Sequence, residues 1–524
     1  MTKWTNEQIN VFDASGNVLV YASAGSGKTS VMVKKIVDDV VKGVPVKDIL
    51  VVSYTKASAT DMRLKIINAL FDVAKDENVK DVDKIREEID NLPFAEIGTM
   101  DSFLSRLIKE NFEYLKISPK AQQMDETESK DMKRRALKKV MNDEYEKQAE
   151  DFIRVASRAS GIVDDTPLSE IVLRIYDAIS INPRPDEFKA MLLSSVTDNP
   201  DSVYGKVILD FYRDLAAETL PFVKRTIDVT SLEGAPVYAA ALGHSVETLE
   251  ELSDMCTAND AKKIIERYVK PNFRGGKPKI SDEDKALVAT ARDKTAEIIE
   301  NLSEKLFVDY TNYNVNDAKE FMRVVMRVVE EFDKEYERLK KRENKIDFAD
   351  LSKYAVKLLK DESRREEIRQ KFSLVFVDEY QDINPLQEEI LLKITDGNLF
   401  MVGDVKQSIY AFRNADSKIF TDKKKSFETG RSQGRALPMT ANFRSENGVL
   451  EFVDRVFSGI MTLTHGGCDY KNESLFIKDG FTGEMSKNAR IMLVKNDPSR
   501  EETEISGVYS VMSHERNSSL DEIS

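Results

Sequence analysis

The stretch from residue 17 to 41, NVLVYASAGSGKTSVMVKKIVDDVV, constrains the fold more than any other part of the chain. An apolar run leads into a turn of small residues, and apolar positions at helical spacing follow, which reads as strand, loop and helix. Within the turn lie Ala24, Gly25, Ser26, Gly27, Lys28 and Thr29. Gly25 and Gly27 let the backbone curl so that its N–H groups face phosphate oxygens. A helix N-terminus adds favourable partial charge for an anion. Lys28 is then placed to reach terminal phosphates, and Thr29 to ligate Mg²⁺. The phosphate-loop pattern asks for glycine where Ala22 stands. The plainer alternative is a flexible connector with an exposed lysine.

Two further strand–helix pairs follow, DILVVSY with TKASATDMRLKIINALF and AEIGTM with SFLSRLIKENF. Such alternation predicts a parallel sheet covered by helices. Between about 120 and 345 strand signals nearly vanish and charge rises. There Phe321, Val325, Val328, Phe332, Tyr336 and Leu339 recur every three or four residues, the buried stripe of a long helix. VKPNFRGGKPKISDED breaks the helical region. Strands return after about 346 in SLVFVDEYQD and NLFMVGDVKQSIYAF, and RALPMTANFRSENGVLEFVDRVF reads as entry to another strand–helix unit.

The 524 residues exceed one ordinary domain, and 41% hydrophobic with 32% charged residues suits a helix-rich chain with large cores. Cys256 and Cys468 lie far apart, which argues against a disulfide framework or zinc site and suits a reducing cytoplasm. His244, His465 and His514 are scattered, which argues against histidine-centred catalysis. Neither a signal peptide nor a membrane span is readable. A net charge of −14 leaves room for a local basic groove, because distribution sets the field.

Asp378 and Glu379 end the apolar run VFV, and the carboxyl ends of strands are where open α/β sheets bind ligands. One carboxylate suits Mg²⁺ and the other suits polarising an attacking water; a solvated strand cap is the alternative. Gln407, three residues beyond Asp404, is placed to sense a γ-phosphate. Tyr410, Phe412 and Arg413 form an aromatic–cationic group suited to stacking on unpaired bases, or else a core pair beside a surface arginine. Arg444, after Phe443, is either a charge-stabilising arginine offered from a second lobe or a loop arginine.

Taken in order, WTNEQ, ASAGSGKT, VVSYTKASATDM, IGTMDSF, IDFADL, VDEYQD, VGDVKQSIYAFRNA and NFRS make the chain resemble superfamily-1 DNA helicases of the UvrD/Rep/PcrA branch. Within that branch it is most similar to the N-terminal part of the AddA group of helicase–nuclease proteins. The resemblance covers most of the chain and accounts for Ala22, since the group's loop is commonly A-x-A-G-S-G-K-T. It implies ATP and Mg²⁺ as ligands and 3′→5′ movement on DNA in double-strand-break repair, with an AddB-type partner. It assigns adenine recognition to Gln8, with Phe443 against the base. It gives phosphate and Mg²⁺ binding to Lys28 and Thr29, Mg²⁺ coordination to Asp378 and the general base to Glu379. Gln407 becomes the coupling residue and Arg444 an arginine finger. Tyr54, Thr55, Ser102, Phe103, Tyr410, Phe412 and Arg413 become the DNA contacts. Asp101 stands where the group usually has histidine and is expected to turn away from a phosphate backbone or to have another role.

The expected architecture is α/β. A RecA-like P-loop NTPase lobe with a parallel sheet occupies 1–118 and 346–432, interrupted by a helical insertion at 119–345. An incomplete second RecA-like lobe occupies 433–524, because no later helicase or nuclease motif follows NFRS. The competing expectations are a P-loop ATPase of another family and a non-catalytic ATP- and DNA-binding fragment.

Overall fold

The computed structural model describes residues 4–76, 81–160, 165–197, 199, 202–230, 235–272, 280–307, 315–462, 467–468, 470–472 and 476–477. Part of the glycine-rich break (273–279), His465, His514 and the tail from 478 lie outside the described residues.

The strands, in chain order, are β1 (Val18–Ala22), β2 (Ile49–Ser53), β3 (Glu96–Thr99), β4 (Gln122–Gln123), β5 (Lys345–Ile346), β6 (Leu374–Val377), β7 (Leu399–Gly403), β8 (Arg435–Met439), β9 (Ala441–Asn442) and β10 (Phe476–Ile477). Six of them form one sheet in the order β3-β2-β6-β7-β1-β8, and every pairing is parallel. A parallel sheet is covered on both faces, so its strands are apolar almost throughout. In β2, Leu50 and Val52 join one core with Phe103, Val375 and Met401. Ile49 and Val51 join the opposite core with Phe376, Val402 and Met62. This is the two-residue alternation of a strand between helical layers.

One expectation changes here. Arg435–Met439, assigned to the second lobe by its strand-then-helix pattern, pairs in parallel with β1 and closes the first sheet. It is an edge strand, where Pro438 costs no central ladder bond. β9 pairs in parallel with β10 in a separate two-stranded ladder, with the helix Asn447–Ile460 between them in the chain.

The helical insertion leaves and rejoins the lobe through the two-residue parallel ladder of β4 and β5. Among the described residues it contains two separate cores. Helices including Glu126–Glu146, Thr166–Ser180 and Val315–Glu343 build the first, around Phe152, Tyr176, Phe332 and Tyr336. Helices including Val203–Val229, Pro236–Asp254 and Asp282–Leu306 build the second, around Leu242, Leu249, Val288 and Leu302.

A buried charge cluster fastens the first bundle to the helices that cover the six-stranded sheet. Lys340, on the last helix of the insertion, is 2% exposed and lies 2.6 Å from both Asp350 and Glu337. Asp350 caps the N–H of Asp347 at 2.9 Å, and Tyr336 donates to Asp347 at 2.8 Å. Burial pushes the Asp350 carboxyl up to about 6, with the Asp347 charge adding to the effect and Lys340 opposing it. Removing the cation would strand these carboxylates in the interior. Lys340→Met is therefore expected to cost about 3–5 kcal/mol, read as a lowered urea midpoint; a change below about 1 kcal/mol would mean the cluster contributes no more than a surface pair.

Candidate nucleotide and nucleic-acid site

Because all six strands run the same way, the loops after them meet at one edge of the sheet. The loop after β1 carries the glycines. Gly25 has φ +70° and Gly27 has φ +86°, the left-handed region that side chains resist. Ala22 sits inside β1, opposite Met439, and is absent from the positive-φ positions. The place where the general pattern asks for glycine therefore needs none here. Gly27 caps the helix Lys28–Val41, whose first turn presents its backbone N–H groups to the loop. The Ser26 hydroxyl is buried without a protein partner, a polar atom left for a bound group.

Gln8 reaches this loop from the helix Asn6–Phe12. It forms a capping box with Thr5, and its Nε2 donates to the Ser26 carbonyl at 3.2 Å. Lys28 extends across the loop to Glu379, Nζ to Oε2 3.2 Å.

Asp378 follows β6 and is buried, its N–H donating to the Val52 carbonyl at 2.8 Å. Burial, then the neighbouring Glu379 charge, push its carboxyl up to about 6, while Lys28 opposes them. A divalent cation beside Asp378 would offset both causes. Among the described residues no group of three His, Cys, Asp or Glu is arranged to hold a metal. Thr29, at the start of the helix after the glycine loop, and Asp378, after β6, are the residues whose oxygens could hold Mg²⁺, which takes one or two protein oxygens and completes its shell with phosphate and water. Glu379 stands in the left-handed region, φ +51° and ψ +48°, a costly backbone for a glutamate. Asp378, Lys28 and Gln381 hold it there through bonds of 3.1, 3.2 and 3.0 Å.

Gln381 was not singled out from the sequence, yet it joins the two acidic loops. Its Nε2 donates to Glu379 and to Asp382, and its Oε1 accepts the Asp404 N–H at 2.9 Å. Gly403 admits it, since a Cβ there would stand 2.5 Å from that oxygen. Asp404 in turn accepts from the Gln407 Nε2 at 2.7 Å. A continuous path thus runs from Lys28 through Glu379, Gln381 and Asp404 to Gln407.

Beyond Gln407 the same loop turns aromatic. Tyr410 stacks on Tyr54 from the loop after β2, ring centroids 4.1 Å apart. Arg413 lies 5.8 Å from the rings of both Tyr410 and Phe412, and Phe412 is 77% exposed. Thr55 and Ser102 are exposed at helix starts; the Thr55 hydroxyl accepts the Ser58 N–H at 3.0 Å. Phe103 does not join them. It is buried in the sheet core against Phe372, so its ring is not presented to a strand of bases. Asp101 is half-buried in the first turn of its helix, where an acid suits the helix N-terminus. Burial raises its carboxyl and the positive charge of Arg413 lowers it.

Residues 4–428 match the UvrD/REP helicase N-terminal domain. The chain belongs to the UvrD/REP helicase family. Curated relatives include an ATP-dependent helicase/nuclease protein of Alkaliphilus oremlandii, 32% identical over 90% of this chain and 40% of the relative. The proteins of the same description from Ligilactobacillus salivarius and Clostridioides difficile are 28% and 30% identical, over 95% and 89% of this chain. They are matched over 42% and 39% of their own lengths, so this UvrD/REP helicase chain spans about two fifths of such relatives.

Phe443 and Arg444 enter this UvrD/REP helicase site over the crossover from β8. The Phe443 N–H donates to the Gly25 carbonyl at 2.9 Å. A Cβ on Gly25 would stand 2.9 Å from the Arg444 Cβ, and the Arg444 side chain is exposed beside the loop. Asn442 and Glu7 also bind this crossover. Both lie in quoted motifs, Glu7 in WTNEQ and Asn442 in NFRS, but neither was given a role there, because the partners Thr440 and Ala24 are 433 and 418 positions away.

Proposed function

We propose that this chain forms the nucleotide-hydrolysing part of an ATP-dependent DNA motor of the AddA type, moving 3′→5′ on single-stranded DNA in double-strand-break processing. The observation that carries this reading is the hydrogen-bonded path from Lys28 to Gln407, which ends beside the Tyr54–Tyr410 stack. A change at the phosphate end of that path is felt at an exposed aromatic surface suited to unpaired bases.

In this reading the Gly25–Gly27 backbone and Lys28 bind the ATP phosphates, Gln8 orients adenine and Phe443 covers it. Thr29 and Asp378 hold Mg²⁺, which would neutralise phosphate charge as it develops. Glu379 takes the proton of the attacking water, and Arg444 stabilises charge on the transferred group. Before substrate arrives, Lys28 is the counter-ion of Glu379. Phosphate binding draws Lys28 away and leaves the carboxylate to act as base. Gln407 passes the change to Tyr410, while Thr55 and Ser102 offer hydroxyls to the DNA backbone. Phe103 supports the site from beneath.

The same reading includes an AddB-type protein as partner of the longer chain and a cytoplasmic location. Cys256 is an exposed free thiol, which suits a reducing compartment. Among the described residues no helix is long and apolar enough to cross a membrane.

Single-stranded DNA is expected to stimulate ATP turnover. Phe412→Ala should weaken the DNA concentration dependence by about tenfold, the loss of one stacked base, with basal turnover kept within about twofold. Turnover indifferent to DNA would point to a P-loop ATPase of another kind.

A further inference from the structure

We propose that Glu7 and Asn442 form a clasp that fastens the Arg444 crossover to the nucleotide loop, making them positioning residues for hydrolysis. The inference rests on the ATP-hydrolysis reading above and adds how the arginine is held.

The crossover from Met439 to Ser445 is laced to the nucleotide site almost residue by residue. The Met439 carbonyl accepts the Ser23 N–H at 2.9 Å. The Thr440 N–H and hydroxyl both donate to the Glu7 carboxylate, each at 3.0 Å. The Asn442 Nδ2 donates to the Ala24 carbonyl at 2.7 Å, and the Phe443 N–H to the Gly25 carbonyl at 2.9 Å. The Asn442 Oδ1 then accepts the N–H groups of Arg444 and Ser445, both at 2.8 Å. One buried side chain thus ties the backbone of Arg444 to the backbone of the phosphate loop.

The residue types fit these tasks. Thr440 offers two donors, and a carboxylate offers two acceptor oxygens with charge-assisted strength. Glutamine would keep one acceptor oxygen, and aspartate is one methylene shorter. Asn442 needs a donor and an acceptor on one short side chain, which an amide supplies. Its fit over the loop is tight, since a Cβ on Gly25 would stand 2.8 Å from both amide atoms. Glu7 is also the immediate neighbour of Gln8, which bonds the loop at Ser26. The helix Asn6–Phe12 therefore grips the loop with one residue and the crossover with the next. A shift of the loop on binding nucleotide is carried to Arg444 through two hydrogen bonds.

The test uses the full chain with Glu7→Ala, Asn442→Ala and Thr440→Ser. Affinity for a fluorescent ATP analogue, steady-state turnover and hydrogen exchange over 439–446 are measured, the last with and without a non-hydrolysable ATP analogue and Mg²⁺. Glu7→Ala and Asn442→Ala should keep nucleotide affinity within about threefold and lower kcat about tenfold. Both should lose the nucleotide-dependent slowing of exchange over 439–446 that the wild type shows. Thr440→Ser, which keeps both donors, should behave as wild type. Wild-type kcat and exchange in the two alanine variants would overturn the clasp. So would a fall in kcat that only tracks the folded fraction seen in thermal unfolding. Lys28→Ala separates the two readings. If it turns over as fast as wild type, ATP hydrolysis at this loop fails and the clasp with it. If it is inactive while Glu7→Ala and Asn442→Ala are normal, the clasp alone fails.

Discussion

Glu379→Gln is expected to lower ATP turnover by about 10²–10⁴-fold, the usual contribution of a general base, while nucleotide affinity stays within about threefold. The substitution keeps the shape of the side chain and removes its proton-accepting charge. The site is built around that charge: Lys28 lies 3.2 Å away and the Gln381 amide 3.0 Å away, and the backbone adopts a left-handed turn to present the carboxylate. On the proposed reading phosphate binding depends on the glycine loop and Lys28, which the variant leaves in place. Losing the Lys28–Glu379 ion pair also frees Lys28 for phosphate, so affinity should hold or rise slightly. Equilibrium binding of a fluorescent ATP analogue, beside steady-state turnover, reads both quantities. A variant that no longer binds nucleotide would remove Glu379 from the role of base and make it a structural anchor for Lys28.

Arg444→Ala is expected to lower turnover by about 10³-fold, within the range of arginine fingers, with a much smaller loss of affinity. Arg444 is exposed at the margin of the loop, and its backbone is fixed through Asn442. On the proposed reading its guanidinium meets charge that grows on the transferred phosphate more than charge already present on bound ATP. Comparing kcat with the dissociation constant of the non-hydrolysable analogue separates the two. Equal losses in both would make Arg444 a substrate-binding residue.

Much of the sheet was legible because burial leaves local patterns. The apolar runs before Asp378 and before Ser23 predicted strands that are observed as Leu374–Val377 and Val18–Ala22. The stripe from Val325 to Leu339 predicted a helix whose apolar face is buried, with Phe321 half-covered at its start. The glycine-rich loop was legible for a different reason. Glycine, lysine and threonine at fixed spacing follow from backbone curvature and charge, and both are local requirements. Phe103 shows where such reading stops. A motif assigned it to DNA, but its place on the helix Met100–Glu110 turns it onto the sheet, one position from the exposed Ser102. Helical rotation separates the two residues by about 100°, enough to divide surface from core.

By itself the sequence determined the strands of the six-stranded sheet, where the glycine-rich loop lies and which acids end a buried strand, because each depends on neighbours within a few residues. Only the tertiary structure decided that β8 closes the first sheet, that Gln381 links the two acidic loops, and that Glu7 holds Thr440 from 433 positions away. Those facts follow from strand order and a common parallel direction. Hydrophobic periodicity reports which face of a strand is buried; it carries no information about which strand lies beside it.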